Sequence, residues 1–198
     1  MAKSPSEPDS KTAKLRQLRW VISVFLATIV ISGTITLLSD EVMDGGSLAM
    51  AFFILLVIVA VGIFFDIIGM AVATADEKPF HSMAARKVPG AQEAIRLLRN
   101  AERVSSVCND VVGDICGVVA GAASATAAVQ LAQKFSLAWP RAATLGMSAL
   151  VAGLTVGGKA IGKAYAVRSC TQIVHAVGKF LYRLHRISHP FSKKQRKR

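Results

Sequence analysis

After Asp114 the sequence has no acidic residue, and across its 198 residues 12 carboxylates stand against 24 Lys and Arg. A net charge of +12 invites a nucleic-acid reading. Few aromatics are interleaved with the basic residues, however, and no zinc finger or other nucleic-acid motif accompanies them. No nucleic-acid partner is expected. Cysteine is scarce too: Cys108 and Cys116 are eight positions apart and Cys170 stands alone. That spacing matches no metal or redox motif, so free, packed thiols are expected. His81, His175, His185 and His189 form no cluster with cysteine that would favour zinc or copper. Enzyme signatures are also missing, with no Gly-x-Ser-x-Gly, no phosphate-binding loop and no His-Glu-x-x-His. The chain is therefore not read as an enzyme, and no catalytic residue is assigned.

What the chain has is apolar length. Hydrophobic residues make up 53% of it, and its mean hydropathy is positive, which soluble domains rarely reach. A first span runs from Trp20 to Leu38, about 28 Å of helix and close to the thickness of a hydrocarbon core. Lys11, Lys14, Arg16 and Arg19 precede it, and Asp40, Glu41 and Asp44 follow. Its core is long for a cleaved signal peptide and no small-residue cleavage site is clear, so a retained span is expected. Residues 1–14, rich in Ser, Pro and charge, are expected to be disordered. A second span, 47–75, carries Asp66 and the small-residue patch Gly69, Ala71 and Ala73.

The third span, 104–132, holds Asn109, Asp110 and Asp114, with the two Asp four positions apart on one helix face. Gly113, Gly117 and Gly121 form overlapping Gly-x-x-x-Gly repeats that favour close helix packing. The fourth span, 142–167, has its own packing glycines, Gly153, Gly157, Gly158 and Gly162, and the adjacent pair at Gly157-Gly158 predicts a kink beside Lys159. Between and after these spans, segments 80–103 and 168–189 alternate apolar and basic residues, as amphipathic helices at a membrane surface do. Residues 190–198 form a basic tail. The fold class is thus all-α: a polytopic membrane protein with four transmembrane helices and two juxtamembrane amphipathic helical segments, forming one domain over 15–189. Basic flanks put both termini in the cytoplasm and the acidic 39–46 loop outside, and suit anionic lipid headgroups as partners.

Carboxylates inside apolar spans are rare and functional by default, because a charge in hydrocarbon costs several kcal/mol unless it is paired or hydrated. Asp66, Asp110 and Asp114 outnumber Lys159, the one lysine assigned to the same interior. The surplus carboxylates must be protonated, hydrated or bound to a cation. Oxygen ligands suit a hard divalent ion such as Mg²⁺, and Asn109 adds an amide oxygen. Asp66, Asp110, Asp114 and Asn109 are thus the candidate metal ligands, with Lys159 as counter-charge or gate.

The order of these features resembles the transmembrane domain of the CorB/CorC and cyclin M (CNNM) family of magnesium transporters, over roughly Ser47–Leu184. That family has a Phe-Phe-Ser-x-Ser-Glu-Met-Ala type motif where this chain has Phe64-Phe65-Asp66-Ile67-Ile68-Gly69-Met70-Ala71. Its Asn-Pro-Glu-Arg-like motif matches Asn100-Ala101-Glu102-Arg103. Its Asn-x-x-x-Asn pair matches Asp110 to Asp114, and its Gly-Glu-Ile-x-Pro-Lys motif matches Gly158-Lys159-Ala160-Ile161-Gly162-Lys163. The resemblance implies a homodimer, a cation site between spans, a cytoplasmic juxtamembrane helix and, through the family alone, a prokaryotic plasma membrane.

The departures change the charges at the implied site. Asp66, Ile68 and Gly69 replace the family's Ser and Glu residues, Asp110 and Asp114 replace its Asn pair, Lys159 replaces a Glu, and Gly162 a Pro. No nucleotide-sensing CBS pair follows Leu184, so regulation by ATP through such a module is not expected. Two functions follow as expectations. One is divalent-cation transport through an intramembrane carboxylate site. The other is a non-transporting scaffold or regulator in which an Asp–Lys network neutralises itself. Proton or sodium coupling through one Asp with a raised pKa is a third.

Overall fold

The computed structural model describes residues 10–44, 48–134 and 140–188, and every element in them is helical. In chain order these are α1 (Ser10–Asp44), α2 (Leu48–Thr74), α3 (Lys78–Ala85), α4 (Ala91–Arg99), α5 (Ala101–Ser106), a π-helical segment (Val107–Gly113), α6 (Asp114–Lys134), α7 (Pro140–Arg168) and α8 (Cys170–Ser188). Among the described residues four stretches are long and apolar enough to cross a membrane: Gln17–Leu37, Leu48–Thr74, Ala101–Lys134 and Thr144–Arg168. Their outer faces expose side chains such as Phe53, Leu56 and Phe64 on α2 and Leu145, Leu154 and Ile161 on α7. So much exposed apolar surface suits lipid, and continuous helices satisfy their own backbone polar groups within it. The protein is an all-α polytopic membrane protein.

α2 is the axis of the bundle. Ala51, Leu55, Val59, Gly62, Asp66, Gly69 and Val72 are all buried and recur every three or four residues, so they form one stripe along the helix. Ala51, Leu55 and Val59 pack against Ala120, Ala123 and Ala127 of α6 and Val151 of α7. The alanine-rich face of α6 allows this close approach. α1 is peripheral. Its Val24 and Ile35 pack against Val111, Ile115 and Val119, while most of its apolar residues face outward.

The amphipathic helices gather around the other end of α2. Ala91, Ala94, Ile95 and Leu98 of α4 are buried at spacings of three and four, with Arg96 and Arg99 outward. Ala94, Ile95 and Leu98 pack with Ala71 and Val72 of α2, Ala166 of α7, Val174 of α8 and the fully buried Phe80 of α3. Burial of Phe80 alone contributes roughly 2 kcal/mol. Pro79 opens α3, where its missing N–H costs nothing. Gly90, at φ 87°, turns the chain into α4, and a Cβ there would strike the backbone of Lys179. Gly178 of α8 is equally tight against the Gly90 carbonyl and Ala94. Two glycines thus set how closely α4 meets α8.

Several local expectations change. α1 begins at Ser10, inside the stretch read as disordered, and continues through residues 39–44 of the acidic loop; residues 1–9 and 45–47 lie outside the described residues, as does the basic tail 190–198. Segment 80–103 divides into α3, α4 and the start of α5, interrupted near Pro89-Gly90 and at Asn100. α7 is helical through Gly157-Gly158, with Gly158 close against Ile63 of α2.

Candidate functional site

The π-helical segment is where the sequence and the charged groups meet. A π turn widens the backbone by one residue and is frequent at functional positions. Here it lies in the N-terminal half of the third span, between α5 and α6, with Gly113 against Asp66 of α2. A Cβ at Gly113 would stand 3.0 Å from Asp66 Oδ1 and 3.4 Å from Lys159 Nζ, so a larger residue there would crowd Asp66. Lys159 reaches over from α7 and donates a hydrogen bond to the Gly113 carbonyl at 3.0 Å.

Asp66 is the buried charge of the site, with only 2% of its surface exposed. Two lysines from successive turns of α7 face it. Lys163 Nζ lies 3.5 Å from Asp66 Oδ2 and Lys159 Nζ lies 4.0 Å from the same oxygen. Lys159 is also 3.9 Å from Oδ1 of Asp114. These are ion pairs by charge and distance, yet Asp66 Oδ2 has no partner with hydrogen-bond geometry. Two carboxylates and two ammonium groups make the cluster formally neutral. Lys159 sits at its centre, bridging α2, the π segment and α6.

One turn along α2, Gly69 packs against Asn109. A Cβ there would run into Asn109 Oδ1 and approach Cys108. Asn109 Nδ2 donates to Ser105 Oγ at 3.2 Å, while its Oδ1 is buried without a hydrogen-bond donor. Asp66 Oδ2 and Asn109 Oδ1 are thus two orphan acceptors on one helix–helix seam.

No protein-family model, curated protein or solved structure matches this chain.

The expected ligands therefore divide. Asp66 and Asp114 come together, but Asp110 does not join them. It accepts a hydrogen bond from Ser106 Oγ at 2.8 Å and lines a cavity of about 430 Å³ with Ala73, Ala101, Glu102 and Ser105. Asp110 and Asp114 share a helix face but lie about one turn apart along it, and each takes the donor at its own level. Among the described residues no three of His, Cys, Asp and Glu gather at metal-binding range. A divalent ion at Asp66 would also meet two ammonium groups. As arranged, the four expected ligands do not gather into one site.

The packing glycines divide as well. Gly113, Gly158 and Gly162 are tight, the last two against Ile63 and Ile67 of α2. A Cβ at Gly117, Gly121, Gly153 or Gly157 would meet nothing within 4 Å among the described residues. Sequence reasoning missed Lys163 as a site residue and Gly62, Gly90 and Gly178 as contact glycines. Lys163 had a signal, since it lies four residues from Lys159. Gly62 had one too, being in phase with Asp66 and Gly69 on the buried stripe. The three cysteines are free, with Cys108 buried and the others half-buried. His81 faces Glu77 at 3.3 Å and His175 lies 3.3 Å from the Pro89 carbonyl, both on the surface helices.

Proposed function

We propose that this chain is a membrane scaffold or regulator built around an internally neutralised Asp–Lys centre, in which Lys159 stands where a hard cation would stand between carboxylates. One observation carries the reading: the Lys159 ammonium lies within 4.0 Å of Asp66 and Asp114 while donating to the Gly113 carbonyl. A tethered ammonium in that position supplies the charge that an ion would otherwise bring. It also holds α7 to α2 and to the π segment.

The resemblance to the CorB/CorC and cyclin M family is part of this proposal. Three of the segments that carry it, Phe64–Ala71, Asp110–Asp114 and Gly158–Lys163, contribute residues to the same seam. Both termini are assigned to the cytoplasm by the basic flanks, and the membrane to a prokaryotic plasma membrane by the resemblance. A homodimer is supported by the open glycines of α6 and α7 and by Asp114, whose side chain is 74% exposed within a span. A carboxylate exposed there needs water or a second subunit beside it rather than lipid.

Divalent-cation transport, with Mg²⁺ as substrate, is the second reading. It is favoured by the two orphan acceptors, Asp66 Oδ2 and Asn109 Oδ1, which a cation could use. Calorimetry of Mg²⁺ with the purified, detergent-solubilised protein separates the two. The first reading expects no saturable binding to the folded wild type. Saturable binding that disappears in Asp66→Asn would overturn it in favour of transport.

A further inference from the structure

From the Gly90–Gly178 contact α4 and α8 run on side by side, and between their later residues lies a cavity of about 610 Å³. Glu93, Arg96, Leu97 and Asn100 line it from α4, Leu181, Leu184 and His185 from α8, and Val104 from α5. Three features of this groove point the same way. Its walls are apolar where Leu97, Val104, Leu181 and Leu184 meet. Val104 belongs to the third membrane span, so the groove joins the surface layer to the hydrocarbon. Its surroundings are basic, because Arg96 lines it and the exposed Arg99, Arg103, Arg183 and Arg186 each adjoin a lining residue in the chain.

We propose that this groove is a binding site for one anionic phospholipid of the surrounding bilayer. The phosphate is held by Arg96, and an acyl chain lies along Leu97, Val104, Leu181 and Leu184. Guanidinium suits phosphate because its planar N–H fork matches two phosphate oxygens. A soluble peptide helix would cover the apolar wall but would leave the basic surroundings unmatched. Glu93 opposes an anion, but α8 carries Lys179, Arg183 and Arg186 with no acid, so the local field stays positive. The site is separate from Asp66 and does not depend on how that centre works.

The test uses the full chain in bilayers with spin-labelled phosphatidylglycerol or spin-labelled phosphatidylcholine, reading the motionally restricted lipid fraction by electron paramagnetic resonance. The wild type should prefer the anionic lipid. Arg96→Gln should lower that preference about fivefold, as expected for one basic residue at a membrane surface. Arg86→Gln, an exposed cation just after α3 and outside the groove, should leave it unchanged. Leu184→Trp, which fills the groove, should also remove the preference. The proposal is overturned if the wild type holds both lipids alike. It is equally overturned if Arg96→Gln and Arg86→Gln act alike, which would mean general surface charge, or if Leu184→Trp changes nothing.

Discussion

Replacing Lys159 with Met keeps most of the side chain's apolar length and removes only its charge and donors. Lys159 is the more enclosed of the two lysines, 19% exposed against 46% for Lys163. Its loss takes a charged donor from the Gly113 carbonyl and leaves Asp66, 2% exposed, with one half-exposed partner. Breaking a buried ion pair costs about 3–5 kcal/mol, and a hydrogen bond to a charged group is worth about 1.5–3 kcal/mol. These terms overlap, and Lys163 remains, so Lys159→Met should destabilise by about 3 kcal/mol. Lys163→Met should cost less than about 1 kcal/mol, because water screens a half-exposed pair. Adding Asp66→Asn to Lys159→Met should recover about 1–2 kcal/mol, since the buried carboxylate is gone and the charges left, Lys163 and Asp114, are half-exposed or exposed. Reversible unfolding in mixed detergent micelles, titrated with a denaturing detergent, measures the wild type, the three single variants and the double variant on one scale. Equal costs for the two lysines, or strict additivity of Asp66→Asn with Lys159→Met, would refute the central role given to Lys159.

Gly178→Val should separate α4 from α8, because even a Cβ meets the Gly90 carbonyl and Ala94; a loss of about 1–3 kcal/mol is expected from such overpacking, read as a lower thermal midpoint in detergent. Gly69→Ala should destabilise through its collision with Asn109, and Asn109→Ala should relieve much of that loss; a double variant no better than Gly69→Ala would count against the seam. Gly153→Val with Gly157→Val meets open space, so the fold should persist, while self-association measured by light scattering in detergent should weaken if this face joins two copies. Ser106→Ala should shift stability by no more than about 0.5 kcal/mol, since Asp110 is exposed and can be solvated; a large loss would mean that Asp110 is more than a surface acid.

Span positions and the amphipathic helices were legible because their signals are local. Apolar runs of bilayer length mark α2 and its neighbours whatever lies beside them. The spacing of Ala91, Ala94, Ile95 and Leu98 likewise marks the buried face of α4. Asp66 stood out for the same reason, as a carboxylate inside such a run. The glycines were harder. Gly-x-x-x-Gly spacing correctly marks small faces on α6 and α7, but the spacing is the same for a face pressed against another helix and for an open one. Gly113 and Gly162 proved tight, whereas Gly117, Gly121, Gly153 and Gly157 proved open.

The sequence by itself determined the class of protein, the number of apolar spans and the presence of charge within them, since hydrophobicity and periodicity are properties of a short stretch of chain. Only the tertiary structure decided which charges meet. The π segment, the rotation of α7 and the depth of each residue bring Lys159 and Lys163 to Asp66, draw Asp114 into the same cluster and leave Asp110 with Ser106. Partner choice for a buried charge depends on a few ångströms of helix position set by packing from residues far apart in the chain, and no local pattern encodes it.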